Sequence, residues 1–357
     1  MTKVKDIYNY INTIAPYDEM EQWDNSGFIL GDENRSVSRV VMALDATKSV
    51  AAFAKSVEAD LLLTHHPIIF NPVKKILKGS AVYELINNEY NVAILCRKES
   101  KLDKFKNIIN KIKVYKVDDN INKIIMALNE FKPNCIVHLA AIFKSEHEKE
   151  DIDNFIDINI KYPTKILEAM KQCGIKNFIN TSTAWQHYNN EDYNPVCLYA
   201  ATKESFEKII DYYAKGVKFK CISLELFDSY GDNDTRGKLI SVLKDFSINN
   251  KILKMTEGES KIDLTHVNDI VYGFIKAIEF LNDIEYGEHR KYAICTGRVL
   301  TLKEVIEIFE EKTGYKLNVE WGARHYRERE IMKPWDRYEI LPNWKSEITF
   351  EDGVTMI

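Results

Sequence analysis

Two tyrosines in this 357-residue chain have a lysine four positions on, Tyr199 with Lys203 and Tyr272 with Lys276. Residues four apart share one face of a helix, so either pair could set an ammonium beside a phenol and lower its pKa. Their surroundings separate them. Tyr199 opens a helical stretch that follows the hydroxyl cluster Thr181, Ser182, Thr183, whereas Tyr272 lies inside an apolar helical face. A hydroxyl donor at a strand end, facing a tyrosine whose proton can move, is what carbonyl reduction or alcohol oxidation requires. A second candidate centre is the pair His65 and His66 in ADLLLTHHPIIF, since adjacent imidazoles at a strand end suit zinc, iron or manganese.

The elements that must hold these groups alternate. Strands read at SRVVMALDAT, DLLLTH, NVAILC, NCIVHLAA, KNFINTST and FKCISLELF, with helical patterns at 3–14, KSVAAFAKSVEA, SAVYELINNE, 121–131, the stretch up to Gly174, and 198–214. Apolar runs of this kind predict a parallel sheet covered on both faces, with ligands gathering at the carboxyl ends of its strands. After Gly231 the pattern mixes: helix 235–247, strands KILKMTEG, KIDLTH, KYAICTG and KLNVEWG, and a helix at TLKEVIEIFEEKTG capped by Thr301. The expected fold is α/β, a Rossmann-like doubly wound parallel sheet with a smaller mixed substrate-binding lobe, preceded by a truncated α/β segment. Boundaries at 1–87, 88–230 and 231–357 are expected.

Composition narrows the classes. With 45% hydrophobic and 29% charged residues the chain is globular. A formal net charge of -5 gives no general attraction to nucleic acid or to anionic membranes, and no run reaches the length of a membrane span. Six separate cysteines without a C-x-x-C pair suit a reduced setting, so a cytoplasmic protein is expected.

From about Glu89 to Ile357 the chain resembles the extended short-chain dehydrogenase/reductases, the NAD-dependent epimerase/dehydratase group. The resemblance is carried by CIVHLAA (135–141), NIKYPTKILEAMKQCGIKNFINTST (159–183), YAATK (199–203), LELFDSYGDNDTRGKL (224–239) and LTHVNDIV (264–271). It implies Tyr199 as acid/base, Lys203 as the residue that lowers its pKa and holds the nicotinamide ribose, and Thr183 as the carbonyl-binding hydroxyl, with Ser182 as the alternate. It further implies that His138, Ala140 and Ala141 line the cofactor cleft, that Asn159 braces the catalytic helix, and that Asp228, Tyr230 and Lys238 meet a nucleotide-diphosphate sugar. The tail WGARHYREREIMKPWDRYEILPNWKSEITFEDGV is similar to reductases of the CDP-abequose and paratose synthase type, and offers Arg324, Arg327 and Arg329 to a diphosphate through forked hydrogen bonds. A homodimer is compatible with this group. Arg97 and Lys98, directly after NVAILC, suit the 2'-phosphate of NADP rather than the bare ribose of NAD.

One part of that pattern is missing. Counting back from SAVYELINNEYNVAILC, the last glycine of the phosphate-binding turn is Gly79, but the two earlier positions are Val73 and Ile76. Neither offers the backbone freedom that lets N–H groups close on a pyrophosphate. The preceding residues resemble a different family, the dinuclear-metal hexamers of the GTP cyclohydrolase I type 2-like kind, through WDNSGFILGD, VVMALDAT, ADLLLTHHPIIF and GSAVYELI. That resemblance implies His65 and His66 as metal ligands. The family's later Asp, His and Glu ligands have no counterpart here, so an incomplete divalent-metal site is expected. The two patterns meet in GSAVYELINNE, and the unbroken strand-helix-strand reading from 61 to 96 predicts DLLLTH beside NVAILC as parallel neighbours.

The sequence thus predicts hydride transfer between NAD(P)H and a carbonyl or alcohol carbon of a sugar nucleotide, most sharply reduction of a keto-deoxysugar. An epimerase or dehydratase would use the same Tyr and Lys, although no Asp-Glu pair follows Thr183 as dehydratases of the group show. A metal-dependent cyclohydrolase-like activity and an inactive fusion are the other readings.

Overall fold

The structure is a computed structural model and describes residues 2–17, 27, 33–43, 53–54, 56–64, 91–97, 112–232, 234 and 237–357. The chain folds as two compact units, Met1–Leu77 and Lys78–Ile357.

In the first unit, helix α1 (Val4–Ile14) precedes two short parallel strands, β1 (Val40–Ala43) and β2 (Leu61–Thr64), in the register Val40 to Leu61. Asp60 ties their starts together by accepting from the backbone N–H groups of Ser38 (2.9 Å) and Arg39 (3.0 Å). These hydrogen bonds hold its carboxyl down at about 2.

The second unit begins with β3 (Ala93–Arg97), which pairs in parallel with β4 (Lys113–Val117). This corrects one expectation. Strand β2 pairs with β1 and β3 with β4, in separate sheets, so DLLLTH is not the neighbour of NVAILC. An apolar run reports burial but not the identity of the strand beside it.

Helix α2 (Ile121–Phe131) follows, its N-terminus capped by Asn120, and leads into β5 (Cys135–His138). Helices α3 (Ile152–Ile156) and α4 (Tyr162–Cys173) are joined by a π turn over Asp157–Lys161, and Gly174 closes α4 in the left-handed conformation at φ 74°. Strand β6 (Asn177–Thr183), helix α5 (Leu198–Val217) and strand β7 (Lys220–Leu226) complete the central motif. Short β8 (Asp228–Tyr230), helix α6 (Leu239–Ile248), β9 (Ile252–Lys254), β10 (Lys261–His266), helix α7 (Val267–Phe280) and β11 (His289–Ile294) come next. The chain ends with β12 (Val299–Thr301), α8 (Leu302–Thr313), β13 (Asn318–Glu320) and a last turn of helix, α9 (Phe350–Gly353).

The main sheet is fully parallel in the order β11-β7-β6-β5. Alternation along its strands sends neighbours to opposite faces. Phe178 and Cys221 join a core with Leu167, Met170, Phe206 and Ile210, while Ile179 and Ile222 join one with Ile270, Ile294 and Trp344. A helical layer covers each face, which is the doubly wound arrangement. The smaller lobe has its own core around Leu243, Leu264, Val305 and Phe309. No helix among the described residues is long and apolar enough to cross a membrane.

Candidate functional site

The carboxyl ends of β5 and β6 and the first turns of α5 carry the residues singled out for proton transfer. Tyr199 lies half-buried in the first turn of α5, its ring edge-on to Phe143 at 5.0 Å. Lys203, one turn further along the same face, is only 1% exposed. Enclosing an ammonium favours its neutral form and pushes Lys203 down to about 8, an effect opposed by the Glu207 carboxylate.

Thr183 and Ser182 end β6, both buried, and alternation turns them to opposite faces. Ser182 Oγ accepts from Gln186 Nε2 at 2.6 Å and its hydroxyl lies against Glu207. Thr183 Oγ1 accepts from the backbone N–H of Trp185 at 3.3 Å, leaving its own O–H to donate elsewhere.

Asn159, on the π turn, is 1% exposed and fully engaged. Its Oδ1 accepts from Ile142 N (2.9 Å), and its Nδ2 donates to Ile142 O (3.1 Å) and to Thr202 Oγ1 (3.0 Å). It therefore ties the chain after β5 to α5.

His138, at the end of β5, heads a polar chain that crosses the sheet. Its Nδ1 reaches Asn180 Oδ1 at 3.5 Å, and Asn180 Nδ2 donates to Ser223 Oγ at 3.1 Å. The Ser223 hydroxyl then donates to His289 Nε2 (2.9 Å), whose Nδ1–H donates to Asp211 (2.8 Å). Burial holds His138 neutral, down at about 3, with the Lys203 charge adding to the effect. Its Nε2 is buried with no hydrogen-bond partner among the described residues. Ala140 and Ala141 follow as exposed backbone.

A cavity of about 200 Å³ opens beside this cluster, in the second unit. Its walls include Trp185, His187, Asp228, Asp263, Arg327 and Trp335. Tyr199, Lys203 and Thr183 are not among them, but Phe143 links the two regions, touching Tyr199 on one side and the Trp185 ring (5.5 Å) on the other. Arg327 stands 5.5 Å over Trp185 and pairs through both arms with Glu330 (2.9 and 3.0 Å). Burial raises the Asp228 carboxyl against the opposing charges of Lys238 and Arg327. Asp263 is raised for the same reason despite bonds from Thr296 and Gly297, and the Asp228 charge adds to the shift. Trp335 stacks on His187 at 3.7 Å, and its indole N–H is buried with no acceptor among the described residues.

Lys238 precedes the first residue of α6, its Nζ 3.5 Å from Ser229 Oγ and 5.9 Å from the Phe143 ring. Tyr230 departs from expectation. It is 3% exposed and packed between His266 and Phe350 in the core of the smaller lobe, its hydroxyl directed to Thr349 O, so it contributes packing rather than a wall of the cavity. Arg329 lies over the Tyr188 ring at 4.4 Å and bonds Asn194, and the backbone N–H of Arg324 donates to Met255 O at 3.0 Å. Arg97 ends β3 exposed. His65, His66, Gly79 and Lys98 lie outside the described residues, as do positions 73 and 76. Among the described residues no cluster of His, Cys, Asp or Glu could hold a metal ion.

Several site residues were not legible beforehand. Trp185 and Trp335 read as ordinary aromatics in loops. Asp263 falls on the polar side of the alternation in KIDLTH, where nothing marks it for burial, and Glu207 sits eight residues after Tyr199, two turns along the same face.

A parallel sheet with a buried lysine, a tyrosine one turn before it and hydroxyls at the strand ends defines a Rossmann-type oxidoreductase site. Residues 77–295 match the NAD dependent epimerase/dehydratase family, and residues 2–95 match Duf34/NIF3 (NGG1p interacting factor 3). The chain belongs to the NAD-dependent epimerase/dehydratase family. It is 31% identical to a CDP-abequose synthase of Yersinia pseudotuberculosis over 62% of this chain and 77% of that protein. Its N-terminal part is 38% identical to a GTP cyclohydrolase 1 type 2 homolog of Clostridium perfringens, over 25% of this chain and only 36% of that protein. A UDP-glucose 4-epimerase from Thermotoga maritima superposes with a TM-score of 0.66 at 20% identity, covering 77% of this chain and 92% of that one. A UDP-glucuronic acid 4-epimerase from Bacillus cereus, in complex with NAD, gives 0.67 at 19%, covering 76% and 91%.

NAD(P) is the cofactor of this family, and the groups described fit its nicotinamide end: an enclosed cation at Lys203, a braced α5, and an unpartnered imidazole nitrogen at the end of β5.

Proposed function

We propose that this NAD(P)-dependent enzyme is a reductase of a keto carbon on a deoxysugar carried by a nucleotide diphosphate, with NADPH preferred. The observation that carries the reading is the enclosed Lys203 one turn from the half-buried Tyr199, in a chain that is 31% identical to a CDP-abequose synthase. The cofactor, when bound, supplies a hydride to the carbonyl carbon. The chain's own part is to place and move the proton. Tyr199 gives its phenolic proton to the carbonyl oxygen, and the Lys203 ammonium stabilises the phenolate that remains. Thr183, whose Oγ1 already accepts from Trp185, directs its O–H at the same oxygen. Arg327 and Lys238 supply cations for the diphosphate. Trp185, Trp335 and the enclosed acids Asp228 and Asp263 suit a sugar ring, with flat apolar faces for its carbons and acceptors for its hydroxyls. Arg97, exposed at the end of β3, suits the 2'-phosphate of NADPH.

Loss of NADPH absorbance on addition of a nucleotide-linked 4-keto-6-deoxy sugar tests the reading, with Tyr199→Phe expected to slow turnover by about 10²-fold or more. Epimerised product without net NADPH oxidation would replace the reductase reading by an epimerase one, and full turnover in the Phe variant would refute the role of Tyr199.

A further inference from the structure

Helix α5 shows the sheet a stripe of ionisable side chains at four-residue steps: Tyr199, Lys203, Glu207 and Asp211. The first two belong to the proton transfer above. The third has no part in it, yet Glu207 is 0% exposed, and enclosing a carboxylate is costly unless an opposite charge is close. Lys291, reaching in from β11, pairs with Glu207 and also lies 3.3 Å from Glu204. Glu207 therefore sits between two cations, Lys291 by direct contact and Lys203 one helical turn away.

We propose that Glu207 is a positioning residue for the proton transfer: anchored by Lys291, its enclosed carboxylate keeps the Lys203 ammonium charged and in place beneath Tyr199. The inference rests on the reading of Tyr199 and Lys203 given above. Lys203 meets His138 from β5, held neutral by burial, and Glu207 from its own helix. Burial pushes the Glu207 carboxyl up and the Glu225 charge from β7 adds to it, while Lys291 from β11 and the Ser182 hydroxyl from β6 draw it back toward the charged form, with Glu204 of α5 alongside. Among the described residues the opposite charge facing Lys203 is that of Glu207, and it opposes the burial that draws Lys203 down to about 8. Without that carboxylate Lys203 would lose its proton nearer neutrality, and the phenolate of Tyr199 would lose its counter-charge.

The test is Glu207→Gln in the full chain, with two readouts. Lysine side-chain NMR, with the Lys203 signal identified by its absence in Lys203→Arg, follows the titration of Lys203 directly. The pH profile of NADPH-linked turnover follows its consequence. The expected result is a Lys203 midpoint lowered by about one unit or more, an alkaline limb of kcat moved by a similar amount, a loss of about tenfold near pH 8, and little change in KM. Glu207→Asp should restore part of the shift. A folded Glu207→Gln protein with an unmoved Lys203 midpoint would overturn the proposal. If leaving Lys291 unpaired prevents folding, the double variant Glu207→Gln, Lys291→Met is read against the same two outcomes. Should the unaltered protein turn over no nucleotide sugar while the NMR midpoint moves as expected, the reductase reading falls and the coupling of Glu207 to Lys203 stands.

Discussion

At the residue scale, the side chains to which we assign the proton transfer stood out most readily. Tyr199 and Lys203 were found because helical spacing and a preceding hydroxyl cluster are both written in the chain, and the choice between Ser182 and Thr183 is sharpened by strand alternation. Ser182 turns toward Gln186 and Glu207, whereas Thr183 keeps a donor available. Thr183→Ala is accordingly expected to lower kcat by about 10²-fold, measured as NADPH-linked turnover, and Ser182→Ala to lower stability with a much smaller effect on kcat. The pH dependence has a definite sign. Lys203 carries its charge below about 8 and loses it above, so turnover should hold through neutrality and fall as pH rises past that point. A profile that instead falls on the acid side would point to a different group. Tyr230 was misplaced because a tyrosine between a serine and a glycine carries no sign of which lobe's core will take it. Asp228 was expected near the sugar nucleotide, whereas Asp263 was missed because its place in the cavity comes from enclosure rather than from spacing.

At the element scale, order and type were legible, and pairing was not. The runs CIVH, NFINTST and KCISLEL announce strands buried on both faces, and the structure finds all three side by side. The run LLLT announces the same property, but nothing in it says that its partner is VVMA rather than AILC. The helix at 302–313 was bounded in advance by its cap. Thr301 Oγ1 accepts from Glu304 N at 3.2 Å, and the Glu304 carboxylate accepts from Thr301 N at 2.7 Å. Replacing Thr301 by Ala should cost about 1 kcal/mol in denaturant unfolding of the second unit, without altering the Tyr199 chemistry. The π turn at Asp157–Lys161 had no herald in the sequence beyond Asn159 itself, whose three bonds it makes geometrically available.

At the scale of the whole molecule, a chain of the epimerase/dehydratase family carries at residues 2–95 a match to a second one, Duf34/NIF3. The first unit carries about a third of the length of the GTP cyclohydrolase 1 type 2 homologs it matches, and with His65 and His66 it has two adjacent imidazoles without the further ligands a dinuclear centre uses. Metal bound there should be lost on dialysis against a chelator, followed by elemental analysis, and NADPH-linked turnover should survive the treatment, because the proton transfer we propose for Tyr199, Lys203 and Thr183 uses no metal ligand. Retention of tightly bound metal would contradict the incomplete-site reading. The seam between the two matches shows in the sequence as Val73 and Ile76 where the phosphate-binding turn would have glycines.

The polar chain across the sheet has one more implication. Asp211, His289 and Ser223 stand in the order and at the spacings of a hydrolytic acyl-transfer triad, yet Ser223 is 0% exposed and is already bonded by Asn180. Sealed within the sheet, it has no route to an ester or to a fluorophosphonate probe, and the protein should emerge from such labelling unmarked at that serine.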